Sequence, residues 1–93
     1  MRPAGRSATG ERVNGAYSLS AVSLPDLIRT KLANHLARLG RAADVRTLEL
    51  AQERAEGYVE GVEAARALTP AMVEALFLAV DEAATARRWE LNP

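Results

Sequence analysis

Residues 45–65 of this 93-residue chain read VRTLELAQERAEGYVEGVEAA. Glutamates recur in this segment at steps of four, three, four and three residues, and they are Glu49, Glu53, Glu56, Glu60 and Glu63. A helix turns by about 100° per residue, so this spacing places all five carboxylates in one stripe along one face. The apolar residues follow the same period on another face: Val45, Leu48, Ala51, Ala55, Tyr58, Val59, Val62 and Ala65. The segment therefore predicts an amphipathic helix over residues 44–67, capped by Asp44, and an all-α fold.

Two further helices are predicted on either side of this one. Ser23 followed by Asp26 resembles a capping box, with Pro25 in the first turn, and predicts a helix over residues 24–39 that Gly40 ends. The pair Thr69–Pro70 is typical of a helix start and predicts a third helix over residues 70–89. Because the connections are short, we expect a three-helix antiparallel bundle in one domain, residues 22–93.

The flanking helices also show apolar faces. The predicted face of the first helix is Leu24, Leu27, Ile28, Leu32, His35, Leu36 and Leu39, and Val22 is spaced from Leu27 as a hydrophobic staple. The predicted face of the third helix is Val73, Leu76, Phe77, Val80, Ala83, Ala84 and Leu91. Leu78 and Trp89 lie outside that face. They are either buried by a rotation of the helix or exposed as contact residues for a partner, because aromatic residues are enriched at interfaces.

Composition narrows the class of protein. The chain has no cysteine, which excludes disulfides and fits a reducing compartment such as the cytoplasm. No apolar run approaches the roughly 18 residues of a membrane span, so no membrane partner is expected. Residues 1–21 are rich in Gly, Ser, Asn and Arg without a period, which predicts a flexible basic tail rather than a secretory signal. Eleven of the twelve basic residues are arginine, a bias associated with GC-rich bacterial genomes.

The formal charge of zero conceals a partition along the chain. Residues 1–46 carry eight Arg or Lys against three Asp or Glu, whereas residues 47–93 carry four against nine, which gives +5 and −5. The basic tail over residues 1–21, together with five cations on the first helix and the following turn, suggests an alternative function as a DNA-binding transcriptional regulator; the five are Arg29, Lys31, Arg38, Arg41 and Arg46. A helix-turn-helix interpretation is disfavoured, because the second helix would read the DNA and carries five glutamates, which phosphate repels.

A strip of mostly small residues runs along the second helix, outside its main apolar face. It consists of Leu50, Gly57, Gly61, Ala64 and Leu68. Each glycine in a helix interior costs about 0.8–1.0 kcal/mol relative to alanine, so two of them call for a compensating contact. We expect this strip to be the self-association face of a homodimer, where another helix approaches closely. The alternatives are a close approach within the chain, a kink in the helix or a tolerated loss of stability. The second helix, predicted to be the longest, is expected to lie at the centre.

No catalytic constellation can be named. His35 is the only histidine, which argues against a zinc site, and no Glu-x-x-His motif is present to hold a di-iron centre. No nucleophile, base and orienting group stand in a recognisable pattern. The sequence therefore predicts a non-catalytic regulatory or interaction protein, without cofactor or metal. Its partner-binding residues are predicted to be the five glutamates with Leu78 and Trp89; the alternative is that the glutamates form only a solvated face.

Overall fold

The computed structural model describes residues 23–93, which form three α-helices and no strand. Helix α1 spans Asp26–Gly40, α2 spans Val45–Ala64 and α3 spans Pro70–Leu91. The prediction of an all-α fold with three helices is confirmed. The predicted basic tail over residues 1–21 lies outside the described residues, as does Val22. None of the three described helices is both long and apolar enough to cross a membrane.

Two side-chain caps start α2 and α3 as predicted. The Asp44 carboxylate accepts a hydrogen bond from the Thr47 amide at 2.7 Å, and α2 begins at the next residue. The Thr69 hydroxyl oxygen accepts one from the Met72 amide at 3.2 Å, and Pro70 follows as the first residue of α3. Each cap satisfies one of the amide groups that have no partner inside the helix.

The predicted start of α1 is wrong. The helix begins at Asp26 after Pro25, and no side chain caps it, so the capping box from Ser23 does not form. Because the helix starts later than predicted, Leu27 is its second residue and does not hold the staple position. Leu27 lies five residues before the buried Leu32, which is about 140° around the helix. It is 68% exposed and does not belong to the core.

The end of α1 also differs from the expectation for Gly40. This glycine is the last helical residue, and no described glycine adopts a positive φ. The helix closes instead by tightening its last turn. The Arg41 amide donates to the Arg38 carbonyl at 3.2 Å, and the Ala42 amide donates to the Leu39 carbonyl at 3.3 Å.

A left-handed residue ends α2 three residues before the predicted boundary. Arg66 has a φ of 54°, the only positive φ among the described residues other than glycine. Its amide donates to the Glu63 carbonyl at 3.0 Å, and the Ala67 amide donates to the Val62 carbonyl at 3.3 Å. This pair of hydrogen bonds is a Schellman motif, in which the left-handed position is usually glycine. Here an arginine occupies it.

Each helix packs on both of the others around one core. Its largest fully buried side chains are Leu32, Leu39, Leu48, Leu76, Val59 and Val80. The predicted apolar faces of α2 and α3 are the buried or half-buried ones, except for Ala65, which lies beyond the end of α2 and is exposed. The expectation that α2 is the longest, central helix is wrong, because α3 has 22 residues against 20 and all three helices share the core.

Arg87 ties α3 to the connection between α1 and α2. Its Nε donates to the Ala42 carbonyl at 2.9 Å, and its Nη1 lies 2.7 Å from Oε1 of Glu90. The side chain is 25% exposed, so most of it is covered by protein. The hydrogen bond joins residues 45 positions apart and therefore holds the last turns of α3 against the α1–α2 connection.

Candidate functional site

The five glutamates of α2, called the acidic stripe below, have no cationic partner in the described chain. Glu49, Glu53, Glu60 and Glu63 are exposed. Glu56 is half-buried and accepts a hydrogen bond from the Gln52 amide group at 3.2 Å. None of the five forms an ion pair with another residue of the range 23–93. Like charges four residues apart destabilise a helix by about 0.2–0.5 kcal/mol per pair, and no ion pair with a described cation offsets this cost.

The acidic stripe lies on the side of α2 that adjoins α3. Glu63 lines a shallow cavity of about 440 Å³ together with Pro70 and Val73 of α3. The helical period places the other four glutamates on the same flank as Glu63. On α3, Glu74 and Asp81 are also exposed.

Leu78 and Trp89, called the apolar pair below, are exposed on α3. Their side chains are 50% and 69% exposed, which confirms that they lie off the buried face. They are eleven residues apart, so they point to nearly the same side of the helix about 16 Å from each other. Trp89 also lines a cavity of about 320 Å³ with Thr85, Arg88 and Asn92. An exposed tryptophan beside a cavity is a strong candidate for a contact residue.

The predicted strip of small residues faces away from the rest of the described chain. Leu50 is 52% exposed, and Gly57, Gly61 and Ala64 are also exposed. A Cβ atom built on Gly57 or Gly61 would meet no atom within 4 Å. Close approach of a helix from within the described chain is therefore excluded at these glycines. Leu68 does not belong to the strip, because it follows the end of α2 and packs against the core. Self-association through the strip stays a prediction.

The cations singled out in the sequence lie on α1, the α1–α2 connection and the first turn of α2. Lys31, Arg38, Arg41 and Arg46 are exposed, whereas Arg29 is half-buried. The structure adds Arg54 of α2, which is exposed and, like Lys31 and Arg38, lies near enough to His35 for its charge to lower the pKa of that histidine. The sequence alone did not single out Arg54, because its position depends on how α2 packs against α1.

His35 and Tyr58 join α1 to α2 through their rings. The ring centroids are 5.2 Å apart, with an interplanar angle of 31°. The His35 Nδ1 atom is buried and has no hydrogen-bond partner among the described residues. Burial lowers the pKa of His35 below its ordinary value, and the positive charges of Arg38, Arg54 and Lys31 lower it further. Burial raises the pKa of Tyr58. Both rings are therefore neutral near pH 7.

The chain matches no protein-family model, no curated protein and no solved structure. Within residues 23–93 no three His, Asp or Glu side chains are grouped so that they could hold a metal ion. The described residues therefore offer two candidate functional surfaces of opposite charge. One is the acidic stripe of α2 together with the apolar pair, which is exposed on the neighbouring helix α3. The other, called the basic face below, consists of Lys31, Arg38 and Arg54 around the rings of His35 and Tyr58.

Proposed function

We propose that this is a small non-catalytic interaction or regulatory protein that binds a basic segment of a partner protein through the acidic stripe and the apolar pair. One observation carries the proposal: five carboxylates on one face lack any cationic partner in the described chain, beside a helix that exposes a leucine and a tryptophan. A basic amphipathic segment supplies cations to the stripe and apolar side chains to the pair. Such a segment pairs the unpartnered carboxylates and covers the exposed leucine and tryptophan at the same time.

An antiparallel bundle, which is part of the same proposal, brings the two features together. Counted outward from the connection at residues 65–69, Leu78 of α3 then lies at the level of Glu56 of α2. Exposed ion pairs contribute only about 0–1 kcal/mol each, so we assign most of the affinity to contacts with Leu78 and Trp89. The glutamates contribute orientation and a faster, salt-sensitive association.

We further propose that the protein is a homodimer joined through the strip formed by Leu50, Gly57, Gly61 and Ala64. The strip is exposed, and the space beside both glycines is open. The helix-stability cost of the two glycines, about 0.8–1.0 kcal/mol each, is not offset inside the described chain. A second copy of α2 packed closely on the strip offsets it. We assign the protein to the bacterial cytoplasm, in keeping with the absence of cysteine and the preference for arginine.

The experiment that tests partner binding is site-specific photo-cross-linking in the producing cell. The photoreactive residue p-benzoylphenylalanine replaces Leu78 in one version and Leu27 in a matched control. Both leucines are exposed, but Leu27 lies on α1. We expect position 78 to capture a basic protein that position 27 does not capture.

A charge reversal then distinguishes specific binding at this surface from adventitious cross-linking. Glu53→Lys should abolish capture from position 78, whereas Asp26→Lys, an equal change of charge on α1, should leave it intact. Equal capture from positions 78 and 27, or equal effects of the two charge reversals, would contradict the proposal.

A further inference from the structure

The basic face brings cations from two helices to one pair of rings. Lys31, His35 and Arg38 stand at i, i+4 and i+7, so their side chains share one side of α1. Arg54 stands four residues before Tyr58 and shares a side of α2 with it. Because the rings of His35 and Tyr58 lie 5.2 Å apart, the three cations border the same surface.

These cations are not neutralised by the described chain. Lys31, Arg38 and Arg54 are exposed, and none forms an ion pair with another described residue. Residues 27–43 contain four cations and no Asp or Glu. The acidic stripe is on another side of α2, since Glu49 lies five residues before Arg54 and thus about 140° around the helix. All three cations also act on the ionisation of His35, which agrees with their convergence.

We propose that the basic face binds the phosphate backbone of a nucleic acid. Lys31 and Arg38 are about 10 Å apart along α1, and Arg54 adds a third charge from the neighbouring helix. Three exposed cations spread over this distance match a backbone with one charge per about 3.4 Å of each strand better than they match a single phosphate. His35 and Tyr58 hold the two helices in the register that this contact needs.

The proposed binding mode differs from that of a helix-turn-helix protein, in which a recognition helix enters a groove of the DNA. The contact is made by the outer sides of α1 and α2 with phosphate, and it does not insert the glutamates of α2 into a groove. It is also separate from the surface of the proposed function. A basic protein segment and a nucleic acid can therefore occupy the molecule together.

The test uses the full chain, a short DNA duplex and the single histidine as a reporter. The ring-proton NMR signals of His35 should shift in a saturable way on titration with the duplex. Three phosphate contacts predict that the logarithm of the affinity falls with a slope of about −2.7 against the logarithm of the salt concentration. The affinity should thus drop about 40-fold between 50 and 200 mM salt, by the same relation. No shift of the His35 signals at low salt would overturn the proposal.

Two further arms define the site and the ligand. Arg38→Gln/Arg54→Gln should lower the affinity for the duplex at least tenfold and reduce the salt slope by about two, because two phosphate contacts are lost. Arg66→Gln, an exposed arginine in the α2–α3 connection, is the control and should change the affinity less than twofold. Equal losses in both variants would overturn the proposal. Inorganic phosphate at matched phosphate concentration should shift the His35 signals far less than the duplex, and an equal shift would contradict backbone binding.

Discussion

The ring of His35 in α1 contacts the ring of Tyr58 in α2 in a tilted arrangement, with centroids 5.2 Å apart and planes inclined by 31°. This contact places a histidine with a lowered pKa at the junction of two helices, since burial and the charges of Arg38, Arg54 and Lys31 all disfavour its protonated form. It also lies between the cations of the basic face. The same pair of residues thus joins α1 to α2 and lies within the basic face.

The lowered pKa of His35 predicts a loss of stability in mild acid. The folded pKa lies below the unfolded value of about 6.5, so the unfolded chain binds more protons as the pH falls through that value. The free energy of unfolding should therefore decrease between about pH 7 and pH 5, above the range in which most carboxylates titrate. Urea unfolding at both pH values measures it. His35→Gln should show a smaller decrease, and an identical pH dependence in both proteins would contradict this explanation.

Arg66 predicts a stabilising substitution. Its φ of 54° is disfavoured for a residue with a Cβ atom, and glycine is the usual residue at this place in a Schellman motif. Arg66→Gly should raise the free energy of unfolding by about 1 kcal/mol. The substitution relieves the backbone strain in the folded protein, and the greater flexibility of glycine in the unfolded chain cancels part of that gain. Arg66→Ala is the control, because it removes the charge but keeps the Cβ atom, and it should give little or no gain. A gain of equal size from alanine would show that strain is not the cause.

Replacing Arg87, a half-buried polar side chain, should lower the free energy of unfolding substantially. Arg87→Leu leaves the carbonyl of the buried Ala42 without its donor, and we expect unfolding to become easier by about 1–3 kcal/mol. Glu90→Ala removes only the exposed partner of Arg87 and should cost at most about 1 kcal/mol. Chemical unfolding of both variants compares the two contacts. A larger loss in Glu90→Ala would mean that the ion pair, and not the link to Ala42, stabilises this end of the fold.

Substitutions at Gly57 distinguish the proposed homodimer from a monomer. With no atom within 4 Å of an added Cβ, Gly57→Ala should stabilise an isolated chain by about 0.8–1.0 kcal/mol. In a closely packed dimer this gain is reduced, and Gly57→Leu should dissociate the dimer. Light scattering should give twice the chain mass of 10.0 kDa for the wild-type protein and the single chain mass for Gly57→Leu. A monomeric wild-type protein together with the full gain from alanine would contradict self-association.

The parts of the fold that the sequence predicted are those fixed by residues close together in the chain. Asp44 and Thr69 cap amides three residues away, so the cap pattern can be read directly from the order of residues. The faces of α2 and α3 follow from a regular period. The start of α1 was mispredicted because Ser23 and Asp26 match a capping box while the chain enters the helix at Pro25. The same pattern predicts that Leu27 belongs to the core, although it is 68% exposed.

The features that the sequence did not predict depend on contacts between distant residues. The hydrogen bond from Arg87 to Ala42 spans 45 positions, and the contact of His35 with Tyr58 requires α1 and α2 to pack in one particular register. Arg54 became a candidate only through that register. The same limit applies to Gly57 and Gly61, whose spacing suggested a close contact but whose surroundings in the described chain are open.

The most direct test of partner binding by the acidic stripe and the apolar pair uses Trp89, the single tryptophan, as a fluorescent reporter. The probe is a synthetic amphipathic helix of lysine and leucine that contains no tryptophan. Wild-type protein should show a saturable shift of Trp89 emission to shorter wavelength that weakens as salt is added, because the apolar contact is guided by screened charges. Glu53→Lys/Glu60→Lys should bind at least tenfold more weakly. An unchanged emission in the wild-type protein, or equal binding by both proteins, would contradict the account.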